Sequence, residues 1–311
     1  MNRICNILVV VNPLANEQPA VAKAAILAKS LGASVELLIC DTKSSREACT
    51  EGQLPAIGNA LLTDNLDSLL DQLAKPMRYV GIDVSTEVIS GDPLHEMIIS
   101  WLRNSPADLV VKDTHHHSFA TRVFTTNTDW HLIRACPVPL LLTKPKAWAD
   151  SPVLVAALDP GHRNDPSATL DHHILDVAVG MGTALHGRIH AIHSYLPTTM
   201  AAAALGGMPP VISVSAETLA AECDLQHAHL KALTDEFAIA DANLHIAPAT
   251  ATEYLPRVAL ECCADILIMG TISLSSLERL VIGSTAERVL ESLPCDVLLV
   301  KSPDFAHDLP F

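Results

Sequence analysis

The amino-acid sequence predicts an α/β protein built from two tandem domains, each a five-stranded parallel sheet with helices on both faces. Short aliphatic runs alternate with stretches of helical periodicity, as parallel sheets with crossover helices require. The pattern also occurs twice. Ala264 to Met269 repeats Ala107 to Lys112, and Pro294 to Leu299 repeats Pro137 to Leu142, both 157 positions apart. Two matching halves at one offset mean a duplication.

The first strand is Ile7 to Val11, a continuous β-branched and aliphatic run of the kind buried on both faces. A helix over Pro19 to Leu31 follows, with Val21, Ala24, Ala28 and Leu31 on one side and Gly32 where a left-handed cap belongs. Val35 to Cys40 is the second strand, Leu66 to Leu73 an amphipathic stretch, and Tyr79 to Ile89 the third strand. Leu94 to Leu102 reads as a helix with Met97, Ile98 and Trp101 on its apolar side. Leu109 to Val111, a helical Trp130 to Arg134 and Pro139 to Thr143 complete the first half. The second half opens with the strand Val153 to Leu158. A helical stripe of Leu170, Ile174, Val177 and Met181 and the strand Ile189 to His193 come next. The joint lies near Pro145 to Pro152, giving domains at 1–146 and 152–303. Thr198 to Ser215, rich in Ala, Gly and Pro, has no counterpart in the first half and reads as a cover or loop.

Composition narrows the function. With 49% apolar and 18% charged residues in 311, the chain is globular and not disordered. A formal charge of -15 repels phosphate backbones and anionic lipid, so neither a nucleic-acid nor a membrane partner is expected. No apolar run reaches the roughly 18 residues of a spanning helix, and no signal peptide is read at the start, so the expected location is cytoplasmic. The eight cysteines include no CxxC pair and read as reduced thiols packed as small hydrophobes.

The chemistry concentrates in the second half. Its fourth strand runs into Gly270, Thr271, Ile272 and Ser273, and nine residues later come Gly283, Ser284 and Thr285 at the start of a helical stretch, Ala286 to Leu293. Ligands of open parallel sheets bind outside the carboxyl ends of the strands, where this loop must sit. Glycines let the backbone approach a ligand, and a helix start offers free amides to an anion, so phosphate is the natural guest. Asp159 closes the first strand at the same edge, where a carboxylate can accept hydrogen bonds from ribose hydroxyls. Together they describe a nucleotide pocket.

In this loop and over nearly the whole chain, the sequence resembles the universal stress protein family in its tandem form, whose fold is the adenine nucleotide alpha hydrolase-like type. The family's loop is Gly, two residues, Gly, nine residues, then Gly and Ser or Thr; Gly270, Ser273, Gly283 and Ser284 stand at those positions. The resemblance implies ATP or AMP as cofactor, with Asp159 on the ribose and Leu158 and Met269 near the base. Ser273 replaces the second glycine, which strains the loop and adds a side chain over the phosphates if that position needs a positive φ. Ser284 and Thr285 read as helix caps or, by the resemblance, as phosphorylation sites. In the first half Asn12 stands for Asp159, Asp113 for Gly270, His116 for Ser273, and Thr126 and Asn127 for Gly283 and Ser284. Every glycine is gone and a carboxylate points where phosphate would lie, so no triphosphate is expected there. The resemblance also implies that Pro139 to Thr143 and Val297 to Lys301 pair antiparallel, joining the halves as an intramolecular pseudo-dimer and hiding two strand edges. A homodimer of whole chains stays open.

No metal site is expected. His115, His116 and His117, and the pair His172 and His173, are consecutive residues that point apart, and no cysteine or carboxylate spacing completes a set. No Walker lysine, GxSxG elbow or HExxH is present, so no catalytic residue is assigned and slow ATP hydrolysis is the most that is implied. Three readings remain: a sensor that binds an adenine nucleotide and acts through regulatory protein partners, a module holding a different ligand under Thr198 to Ser215, and a weak hydrolase.

Overall fold

The computed structural model describes residues 4–42, 63–114, 127–161, 169–197, 216–271 and 289–302. The strands are β1 (Asn6–Val11), β2 (Ser34–Asp41), β3 (Val84–Ser90), β4 (Leu109–Asp113), β5 (Leu140–Thr143), β6 (Val153–Ala157), β7 (Arg188–Ser194), β8 (Leu244–Ala247), β9 (Ile266–Gly270) and β10 (Asp296–Val300). The helices are α1 (Pro19–Leu31), α2 (Thr63–Tyr79), α3 (Leu94–Asn104), α4 (Asn127–Ala135), α5 (Thr169–Ala184), α6 (Ala216–Asp235) and α7 (Ala251–Glu261). None of the described helices is long and apolar enough to cross a membrane.

All ten described strands join one sheet in the order β3-β2-β1-β4-β5-β10-β9-β6-β7-β8. Every pairing is parallel except β5 with β10, which run antiparallel with Leu141 opposite Leu298. The two edges that the halves would otherwise expose are thereby paired, as the resemblance implied. Alternate residues of β1 feed opposite cores: Ile7, Val9 and Val11 lie on one face with Leu154 and Leu298, Leu8 and Val10 on the other with Val155 and Leu299. Both cores therefore run unbroken through the two halves.

A buried polar cluster fastens this seam. The Lys23 ammonium of α1 lies 2.6 Å from Asp296 Oδ2 of β10, with both side chains almost fully buried. Asp296 also accepts hydrogen bonds from the Lys144 amide (2.8 Å) and the Trp148 indole (2.8 Å). Burial pushes the Asp296 carboxyl up, against the pull of Lys23.

The repeated Ala-Asp pair has a structural task. Asp108 accepts the amides of Cys5 (2.8 Å) and Asn6 (2.9 Å), and Asp265 accepts that of Val153 (3.0 Å), so each carboxylate anchors the start of its half's first strand. Gly32 caps α1 at φ 67, the left-handed conformation the sequence suggested.

Two expectations are corrected. The third strand does not begin at Tyr79: α2 runs through it, because Leu66, Leu70, Ala74 and Met77 continue a buried helical stripe, and Gly81 at φ 85 makes the turn into β3. The inner side of α3 is Ile98, Ile99 and Leu102, while Trp101 is only partly buried and donates its indole N–H to Glu36 (2.9 Å). Periodicity also left α6, β8 and α7 unplaced, for β8 is a four-residue, half-buried edge strand and α7 contains Pro256.

Candidate functional site

Strand order reverses direction twice, between β1 and β4 and between β6 and β9, and such switch points open a crevice at the carboxyl ends of parallel strands. At the second of them Ala157 is in register with Met269, which sets Leu158 and Asp159 beside Met269 and Gly270. These four predicted residues therefore come together. Ser273, Gly283, Ser284 and Thr285 lie outside the described residues, as do His115, His116, His117, Thr126 and Thr198 to Ser215.

The strand end is held firmly. The Leu158 amide donates to Ile192 O (2.9 Å), and buried His193 contacts Leu158 O through Nδ1 (3.0 Å). The Asp159 amide donates to both carboxylate oxygens of Asp171 (3.1 and 3.2 Å), in the first turn of α5. The Asp159 carboxylate itself is half-buried, and no described residue is hydrogen-bonded to it. Its backbone is held by Asp171, and its carboxylate has no hydrogen-bond task among the described residues.

Gly270 also has a packing task. A Cβ there would stand 2.5 Å from Leu170 Cδ2, so this glycine admits α5 against β9. A side chain there would have to displace Leu170, and the backbone of Gly270 is not at positive φ.

A family model described as the universal stress protein family matches residues 4–144 and 164–301, which is most of both halves. The chain belongs to the universal stress protein family. Universal stress protein E of Salmonella typhi is 26% identical over 308 residues, covering 96% of this chain and 95% of that protein. A crystal structure of a Pseudomonas aeruginosa protein of unknown function superposes with a TM-score of 0.75 at 25% identity, covering 98% and 95% of the two chains. A universal stress protein from Archaeoglobus fulgidus shares the fold at a TM-score of 0.64 and 16% identity, over 96% and 97%.

Within this universal stress protein the first half uses the equivalent positions on itself. Asn12 Oδ1 accepts the Leu14 amide (3.1 Å), closing a local turn. Asp113 does not aim at a phosphate position: its Oδ1 accepts the Ala20 amide at the start of α1 (2.7 Å) and the Thr143 hydroxyl (2.6 Å). Burial pushes its carboxyl up, against those two hydrogen bonds and the nearby Lys112 and Lys23. Lys112, in the place of Met269, is buried in an ion pair with Asp129 (2.7 Å). A carboxylate that caps a helix start has taken the anion position of that helix.

Of the predicted histidines, His172 lies on α5 and contacts Glu236 (3.3 Å), and burial lowers the pKa of His173. Sequence reasoning missed a different group: His190 of β7, His245 of β8 and Cys262 at the end of α7 bring their donor atoms within 4.8 Å of one another. The contact follows from the β7–β8 pairing, which the sequence left unassigned.

Proposed function

We propose that the protein is a cytoplasmic stress-response protein that binds ATP or AMP at the carboxyl edge of its second half and uses occupancy to bias regulatory protein partners. The observation that carries this reading is the asymmetry between Asp159 and Asn12: one has a carboxylate with no hydrogen-bond partner among the described residues, the other closes its own turn. Asp159 would accept the ribose hydroxyls, while Leu158 and Met269 would flank the base. Gly283, Ser284 and Thr285 would offer amides and hydroxyls to the phosphates, as the family pattern implies. The first half, with Asp113 and Lys112 turned inward, would not take the ligand. The stress-response role is supported by the names of the relatives that match almost the whole chain.

Calorimetric titration of the full chain with ATP and with AMP tests the site. Replacing Asp159 by Ala removes ribose hydrogen bonds worth about 1–3 kcal/mol, a loss of roughly 5- to 150-fold in affinity. Unchanged affinity removes Asp159 from the site, and no heat with either nucleotide favours a different ligand.

A further inference from the structure

The amino edge of the second half carries a second constellation, independent of the nucleotide reading. His190 Nδ1 lies 2.9 Å from His245 Nε2, and Cys262 Sγ lies 3.5 Å from His245 Nε2 and 3.9 Å from His190 Nδ1. A tetrahedral zinc ion with Zn–N of about 2.05 Å and Zn–S of about 2.3 Å places its nitrogens roughly 3.3 Å apart and nitrogen and sulfur roughly 3.6 Å apart. The three donor atoms already stand close to that triangle, and a shift of a few tenths of an ångström completes it.

Each donor comes from a different element. Strand register fixes the histidines, since Ile192 of β7 faces His245 of β8, and Cys262 caps the carboxyl end of α7. That helix has no basic residue in its last turn, so a cation beside Cys262 meets the negative end of the helix dipole, opposed by the nearby Arg188 guanidinium at the start of β7. All three residues are half-buried, which leaves a fourth position open to water.

The first half serves as an internal comparison. By the matching strand registers, Glu36 stands for His190 and Glu87 for His245, and Ser105 caps α3 as Cys262 caps α7. There the Ser105 hydroxyl (3.0 Å) and the Trp101 indole (2.9 Å) both donate to Glu36, an ordinary hydrogen-bonded carboxylate. The second copy replaces two carboxylates and a hydroxyl by two imidazoles and a thiol. The substituted set suits borderline and soft transition metals, and not magnesium or calcium, which take oxygen ligands.

We propose that His190, His245 and Cys262 form a zinc site at the sheet edge opposite the nucleotide loop, tying the edge strand β8 and the end of α7 to β7. The ion would be three-coordinate from protein, with water or an outside ligand fourth.

Metal-stripped full-length protein titrated with Co(II), then with Zn(II), tests this. The expected result is a thiolate-to-cobalt charge-transfer band that saturates at one equivalent per chain and is discharged by zinc. Cys262→Ser should abolish the band, His245→Gln should weaken zinc at least tenfold in a chelator competition, and Cys263→Ser should leave both readouts in place. Circular dichroism of the stripped variants verifies that each is folded. No thiolate band in the wild type, or a band that survives Cys262→Ser, overturns the proposal.

Discussion

Replacing Asp296 by Ala strikes a buried charge cluster that spans the seam. The side chain is 2% exposed and holds Lys23, the Lys144 amide and the Trp148 indole. Its removal strands an ammonium whose other acceptor is Lys144 O (2.6 Å), and leaves two N–H groups without this acceptor. Breaking a buried pair from one side costs about 3–5 kcal/mol. At about 1.5 °C per kcal/mol for 311 residues unfolding together, the melting temperature should fall by roughly 5 to 8 °C. The raised Asp296 carboxyl says that pairing does not fully offset desolvation, so removing both charges should cost less than the sum of the single changes. Lys23→Met, Asp296→Asn and their combination, followed by urea and thermal unfolding under circular dichroism, give that coupling, expected at about 0.5–3 kcal/mol. Because the cores are continuous across the seam, Asp296→Ala should also unfold in one transition. A loss below about 1 kcal/mol, or strictly additive single changes, would refute the account of the seam.

Lys301 is buried and its ammonium is pushed down to about 7, while it donates to Arg134 O (2.5 Å). The unfolded chain binds this proton up to about pH 10.4, so between pH 7 and 9 the unfolded state holds more protons there and stability rises with pH. Lys301→Met should remove that rise, seen as urea midpoints at pH 7, 8 and 9; identical pH slopes in both proteins would contradict it. Gly270→Ala places a methyl 2.5 Å from Leu170 Cδ2 and should cost about 1–3 kcal/mol, partly recovered when Leu170→Ala is added. No recovery means that Leu170 is not what excludes a side chain. Asp265→Ala and Asp108→Ala should each cost about 1–3 kcal/mol by leaving strand-start amides unpaired, measured by urea unfolding. An effect on one half's aspartate alone would deny them a common task.

The sheet was legible because strands buried on both faces are near-continuous aliphatic runs, as in Ile7 to Val11 and Ile266 to Met269. The duplication was legible because Ala-Asp before the fourth strand recurs at one offset, although the reason for that aspartate appears only when its carboxylate meets the amides of another strand. Edge elements were not legible: Leu244–Ala247 offers four residues with no full alternation, and Tyr79 carried β propensity at the end of a helix set by Met77 and Ala74. At the site, the sequence marked Asp159 and Gly270 but could not say that Leu170 fills the space above Gly270, or that Asp113 turns to α1. His190, His245 and Cys262 are separated by 55 and 17 positions, so strand pairing alone unites them.

One nucleotide site per chain, in the second half, is the claim on which the functional account turns. Calorimetry of the intact protein with ATP should give a stoichiometry of one, lost in Gly283→Val and unchanged in Asn12→Ala. A stoichiometry of two, no binding at all, or full binding by Gly283→Val would contradict it.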